Sequence, residues 1–284
     1  MALVDADASL GHPVSAYAMN LACDKARETG VAVVSVFNSH HFGAAGCYSR
    51  IAADRGMIGM VTASTRGVTM VPTFAAEPVL GTNPLAFAAP AGRNAPFELD
   101  MATTTVAAGK VKVYKLNHRP LPPGWVVDGE GRAVTEPEEA FRYVFERPDG
   151  GITPLGGERA VGGHKGYGLA VMVHILGGAL GGASFSPIRN RTQKPSDPHN
   201  IGHFFMAIDP RAFRPDGGFQ EDLDTVIDVL HGAKRADAAQ PVLVAGDPEM
   251  ATRAERLESG VPVPEDLMTQ LRAVAESARV PFLL

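Results

Sequence analysis

Apolar positions along the chain switch between two periods, and the switches mark out its elements. Val14, Tyr17, Ala18, Leu21 and Ala22 fall at i, i+3, i+4, i+7 and i+8, the stripe of an amphipathic helix over residues 14–27, and the ETG that follows supplies a glycine stop. VAVVSVF, residues 31–37, then reads as a strand. AAGCYSRIAADRG predicts a second helix ending at Gly56, and MIGMVTAS a second strand. Together they predict a β-turn-α-β unit with NSHHFGAAGC at the carboxyl end of its first strand. Ligands of open α/β sheets gather at such ends.

Further on, PLAFAAP, PFELDMA, HFFMAID and QPVLVAG are short apolar runs bounded by Pro, Gly, Asn or Asp, which suits strands of a covered sheet. Residues 116–163 are different. RPLPPGW, DGEGR, TEPEEA and PDGGITPLGG make a turn-rich excursion with one short helical candidate, too long for an ordinary connection and expected to form a flap or subdomain rim within a unit spanning residues 1–284. LAVMVHILGGALGGASF, residues 169–185, is too short and too interrupted by His174 and glycines for a membrane span and predicts a buried helix. FQEDLDTVIDVLHGAK (219–234) and PEDLMTQLRAVAESAR (264–279) predict two more helices.

With 284 residues the chain can bury a full core, as one large α/β unit or two lobes. A net charge of -5 without a Lys/Arg run argues against nucleic acid as a partner, since phosphate neutralisation needs a basic face. Cys23 and Cys47 form no CxxC pair, which suggests structural thiols in a reducing compartment. The N-terminal MALVDADASLGHPV has no basic and apolar leader pattern, so a cytoplasmic location is expected.

Neither GxGxxG after a strand nor GxxxxGK[ST] is present, so a bound nucleotide would need another cradle. GGHKGYGLAVMVHIL offers one: glycines, His164 and Lys165 stand before an apolar helix, where free backbone N–H groups attract anions. The same stretch also reads as a plain glycine-rich helix start with a solvated Lys165. His40 and His41 are adjacent, so their side chains diverge, and no carboxylate or cysteine stands at ligand spacing, which leaves no metal site. One of them could act as general acid/base near neutral pH, or both could be structural. Asp100, in LDMATTTVAAGK, could hold a ribose hydroxyl at a strand end or simply precede a helix.

Seven blocks in order, NSHHFGAAGCYS, GTNPLAFAAP, ELDMATTTVAAGKV, LPPGWVVDGEGR, GITPLGG, GHKGYGLAVMVHILGGALGGASF and VLVAGDPE, resemble the type-2 malate/L-lactate dehydrogenases over nearly the whole chain. That group includes sulfolactate, ureidoglycolate and diketogulonate oxidoreductases and cyclic-imine reductases. The resemblance implies a three-layer α/β/α mixed sheet of the sulfolactate dehydrogenase-like type, distinct from the Rossmann fold, and a homodimer that uses NAD or NADP. It implies that His41 is the catalytic histidine. It further implies cofactor contacts at Thr65, at Asp100, Met101, Ala102 and Thr103, at His164 and Lys165, and at Gly246, Asp247 and Pro248.

Family members begin with a helical segment carrying Ser-His-Gly, whose histidine is a candidate proton donor; the present sequence starts inside the family's first strand, which suggests a truncated start. The resulting expectation is hydride transfer between the nicotinamide and C2 of a small 2-hydroxy/2-oxo acid such as malate or lactate, with no membrane or nucleic-acid partner. The alternative is a non-catalytic cofactor-binding or assembly relative. A histidine-dependent hydrolase is disfavoured, since no GxSxG is present. His41, aligned by the resemblance, is expected to face the pocket, and strand alternation to turn His40 away.

Overall fold

A computed structural model describes residues 1–194, 196–263 and 265–284. In chain order the elements are β1 (Ala2–Asp5), α1 (Gly11–Thr29), β2 (Val31–Ser39), α2 (Gly46–Asp54), β3 (Ile58–Ala63), β4 (Leu85–Ala89), β5 (Phe97–Met101) and α3 (Ala108–Leu116). There follow β6 (Val126–Val127), α4 (Pro137–Phe145), β7 (Gly151–Ile152), α5 (Gly163–Gly177), α6 (Ser186–Thr192), β8 (Ile201–Ile208), α7 (Phe219–His231), α8 (Asp247–Ser259) and α9 (Glu265–Ala278). Pro264, where the last predicted helix was to start, lies outside the described residues.

The main sheet has the order β1-β2-β8-β3-β4-β5. β1 and β2 pair in parallel, and every other pairing is antiparallel, so β1, β2, β3 and β5 point one way and β8 and β4 the other. The predicted β2-α2-β3 unit therefore exists with a strand inserted: β8 arrives from late in the chain and separates β2 from β3.

Two layers of helix cover the sheet. α1 and α2 pack on one face around a core that includes Met19, Val34, Val36, Met57, Val61 and Phe205. The buried stripe of α1 is Ser15, Ala18, Met19, Ala22, Cys23 and Ala26; Tyr17, expected on that stripe, is exposed. The opposite face belongs to α5 and the 3-10 turn after it. Val34 and Val36 point to the core, so by alternation Ser35 points away from it, and there Gly181 closes on the Ser35 hydroxyl.

Residues 169–185 do not form one buried helix. α5 begins at Gly163 and ends at Gly177, a 3-10 turn follows at Ala179–Gly181, and only one side of α5 (Gly163, Gly166, Ala170, Val173, Gly177) is buried. Glycines line that side because the helix crosses other backbone closely: a Cβ on Gly166 would overlap the backbone of Leu155.

QPVLVAG is not a strand either. Pro241 has no N–H to give a ladder, the Val244 amide donates to the Asp247 carboxylate at 2.7 Å, and the one backbone bond to the neighbouring sheet edge runs from Glu98 N to Ala245 O, 3.0 Å. Within the turn-rich region, β6 and β7 pair, and α3 and α4 close a separate apolar cluster with Val111, Leu121, Val126, Val144 and Ile152. α7 is tied to the loop after β4 by Asp224, a buried carboxylate accepting from the Arg93 and Asn94 amides at 2.8 and 3.0 Å. α8 buries no residue, and its polar sequence lacks the apolar stripe by which it could have been predicted. Among the described residues no single helix is long and apolar enough to cross a membrane.

Candidate active site at the sheet edge

The four strands that share a direction end on one edge of the sheet. Just past those ends lie His41 after β2, Thr65 after β3, and Ala102 and Thr103 after β5, while Asp100 and Met101 close β5 itself. This common edge, rather than any local motif, brings together residues far apart in sequence.

β2 ends at Ser39, and its pairing with β8 slips between Val36 and Ser39, where Asn38 adopts φ 54. Both histidines thus lie beyond the ladder, and strand alternation does not orient them. Their backbone is held instead by the entrance to α1: His40 N donates to Ser9 O and Gly11 N to His41 O, each at 3.2 Å. His41 is exposed; the half-buried ring of His40 packs on His199 with centroids 4.3 Å apart. The Gly43 amide donates to His41 Nδ1 at 3.1 Å. Neutral His41, its tautomer assigned from that donor, carries its proton on Nε2 and offers it to an oxygen. Imidazolium, which donates from both nitrogens, cannot keep that bond.

Beneath the loop sits His203 of β8, fully buried and stacked on Phe42 at 4.5 Å. Its Nε2 lies 3.1 Å from Ser39 Oγ and 3.2 Å from His40 O, while Nδ1 has no partner. Loss of hydration pushes its pKa down to about 3, so the ring is neutral and its Nε2–H can hold the His40 carbonyl.

Asp100 accepts from the Gly46 amide at 2.8 Å, at the start of α2. Loss of hydration, with Glu249 adding repulsion, raises its pKa against the effect of that amide. Thr103 is fully buried, and its hydroxyl lies 3.1 Å from Thr82 O and 2.9 Å from Asn83 O; Asp100, Met101 and Ala102 remain the members of that segment open to a ligand. Thr65 donates to Asn83 Oδ1 at 3.0 Å, and Asn83 in turn donates to Ala170 O of α5 at 2.9 Å. Gly81 lets this happen, because a Cβ there would coincide with the Thr65 hydroxyl. Asn83 was not singled out in the sequence, although GTNP marks its turn.

His164 and Lys165 are exposed at the other end of α5, apart from His41, with the helix N-terminus uncapped by any side chain behind Gly162, φ 105. His164 lines a cavity of about 770 Å³ with Phe74, Thr153, Arg159 and Glu130, within the size range of cofactor sites. Uncapped amides, a lysine and such a cavity suit a dinucleotide's phosphates. Gly246, φ 106, packs on Pro96 and Glu98 beside β5. Asp247 accepts from Val244 N and His231 Nε2, both at 2.7 Å. Burial opposes its ionisation, but those two donors outweigh it and hold its pKa below the usual carboxylate range. Among the described residues no group of three His, Cys, Asp or Glu could hold a metal.

A mixed α/β sheet whose like-directed strands end beside His41, Thr65 and Asp100 has the open edge at which α/β proteins bind ligands. A family model described as malate/L-lactate dehydrogenase matches residues 1–272. The malate dehydrogenase of Pyrococcus horikoshii is 38% identical over 281 residues, which cover 98% of this chain and 75% of that one. The L-sulfolactate dehydrogenase of Methanothermobacter thermautotrophicus is 35% identical over 274 residues, 96% and 74% of the two chains. Among solved structures, malate dehydrogenase from Entamoeba histolytica superposes with a TM-score of 0.92 at 29% identity, covering 99% of this chain and 78% of that one. The chain belongs to the malate/L-lactate dehydrogenase family. It is accordingly an oxidoreductase acting on CH–OH groups, and nothing in these relatives supports a non-catalytic reading.

Proposed function

We propose that this protein is an NAD(P)-dependent dehydrogenase interconverting a small 2-hydroxy acid, malate or a close analogue, and its 2-oxo acid. The observation that carries the reading is the delivery of His41, Thr65 and Asp100–Ala102 to one sheet edge by strands of common direction. One relative, from Chromohalobacter salexigens, is named as a sulfolactate dehydrogenase using NADP(+). When bound, the nicotinamide supplies or takes the hydride at C2.

The chain's own residues do the rest. Lys165 and the uncapped amides of α5 hold a phosphate group, and Asp100, with Met101 and Ala102, offers a carboxylate and backbone to ribose hydroxyls. The Gly246–Pro248 turn supports that side of β5. In reduction His41, protonated on both nitrogens and swung off the Gly43 amide, gives its Nε2 proton to the 2-oxo oxygen as hydride reaches C2; in oxidation the neutral ring takes the hydroxyl proton back at Nε2. Exposed apolar side chains on α5 and after it, Ile175, Leu180 and Ile188, give a second copy a face to cover, so the working form is a homodimer.

Following the oxidation of NADH and of NADPH with oxaloacetate, pyruvate and sulfopyruvate tests the function, and light scattering tests the dimer. Turnover with at least one pairing is expected. None with any pairing would overturn the reading.

A further inference from the structure

Four nitrogen-bearing side chains converge where β2 ends, β8 begins and β3 ends, three neighbours at the middle of the sheet. Arg189 of α6 is buried, 8% exposed, and has no carboxylate within ion-pair distance among the described residues. Its Nη1 donates to His199 O at 2.6 Å and its Nη2 to Asn190 Oδ1 at 3.0 Å, which leaves Nε buried without any partner. His199 stacks on His40, the residue before His41. Arg66, exposed immediately after Thr65, completes the set, and Ser186 at the start of α6 donates to Thr65 O and so fixes α6 against that turn.

Their charges act on one another. Burial and then Arg66 lower the Arg189 pKa, and burial followed by Arg66, His40 and Arg189 lowers that of His199. No carboxylate figures among these influences. Asp197, which shares with Arg189 the lining of a cavity of about 420 Å³, makes no ion pair with it and accepts instead from the Lys194 amide at 2.7 Å. A buried guanidinium with an unused donor, facing a second arginine, is costly unless an anion completes it.

We propose that Arg66 and Arg189, with His199 and His40, form the subsite for a second acid group on the substrate, a carboxylate or sulfonate, and so select dianionic 2-oxo acids over monoanionic ones. The inference rests on the dehydrogenase reading above and deepens it. The position of the subsite supports it: Arg66 directly follows Thr65 on the sheet edge that also carries His41, so an acid whose 2-oxo group meets His41 can lay its far end along that edge toward Arg66. The charges also set the class of ligand, because an uncharged methyl group, as in pyruvate, leaves the cations as unsatisfied as before.

The test compares kcat/KM for oxaloacetate and pyruvate in the wild type, in Arg66→Ala and in Arg66→Lys, with Arg235→Ala, an exposed arginine outside the site, as the charge control. Arg66→Ala is expected to lower the oxaloacetate-to-pyruvate ratio roughly 10- to 100-fold, the range of one hydrogen bond to a charged group, through KM. Arg66→Lys should recover part of the ratio, and Arg235→Ala should not move it. Calorimetric titration with succinate, which has two carboxylates and no reacting group, supplies a readout independent of turnover: saturable binding in the wild type and roughly 10-fold weaker binding in Arg66→Ala are expected.

A ratio unmoved in Arg66→Ala, or no succinate binding in the presence or absence of nucleotide, would overturn the subsite. Weaker NADPH binding in Arg66→Ala with an unchanged acid ratio would overturn it too, by assigning the cations to a cofactor phosphate. Absence of turnover with every acid would instead count against the dehydrogenase reading, while the succinate titration would still decide the subsite.

Discussion

Acid should destabilise this protein through His203 in a way that a single substitution removes. The ring is fully buried on β8 between β2 and β3, stacked on Phe42, and held neutral with a pKa of about 3. In the unfolded chain the same histidine titrates near its ordinary value of about 6.5. Above that pH neither state binds the proton and His203 contributes nothing to pH dependence. Below it, the unfolded chain takes up a proton that the native state refuses, so stability falls as pH drops from about 6.5 toward 3. At about 1.4 kcal/mol per pH unit, the fall by pH 5 is about 2 kcal/mol, a sizeable share of a typical domain's stability. His203→Gln keeps a donor for the His40 carbonyl and does not titrate. Urea unfolding of both proteins at pH 7 and pH 5 gives the comparison. His174 and His199, whose pKa values burial also lowers, contribute alike to both proteins and cancel in the difference. The wild type should lose about 2 kcal/mol more than the variant. Equal losses would refute the argument that burial keeps His203 neutral.

Other expectations follow from the site. Lys165→Ala should weaken NADH or NADPH binding by about 1 to 3 kcal/mol, read from nucleotide fluorescence, if the lysine holds a phosphate; an unchanged affinity would return it to a solvated surface role. His41→Ala should lower turnover roughly 100-fold or more while nucleotide affinity stays close to wild type, and full activity would move the proton chemistry to another group. Gly81→Ala should cost about 1 to 3 kcal/mol in urea unfolding, because the new methyl group displaces the Thr65 hydroxyl and crowds Gly67 O, and a neutral result would mean that the turn yields freely.

The parts of the fold legible in the sequence are those whose apolar runs are long and locally bounded. β2, α2 and β3 were readable because each ends in a glycine or polar turn, and α5 because GGHKG announces an uncapped helix start. The arrangement of the strands was not readable. β8 enters between β2 and β3 from far along the chain, and local periodicity carries no trace of that pairing. QPVLVAG looked like a strand by hydropathy, yet its Val244 amide is taken by Asp247, a tertiary detail that overrides propensity. α8 went unpredicted because its sequence is polar all round, and α3 stood only as one of two readings of LDMATTTVAAGK because its nine residues bury a single side chain, Val111.

The candidate site divides in the same way. His41, Thr65 and the segment from Asp100 to Thr103 were reachable through ordered blocks of residues, and the fold then collects them on one edge. Arg66 and Arg189 carry no motif. Only the packing of α6 against the turn after β3 brings the second into the neighbourhood of the first.

The most direct test of the dehydrogenase assignment follows the hydride itself. NADH or NADPH carrying deuterium at nicotinamide C4 is incubated with the protein and oxaloacetate, and the acid produced is analysed for label. The account predicts malate bearing deuterium at C2, formed at the rate at which the nucleotide is consumed. Consumption of neither nucleotide, or malate whose C2 hydrogen comes from solvent, would contradict it.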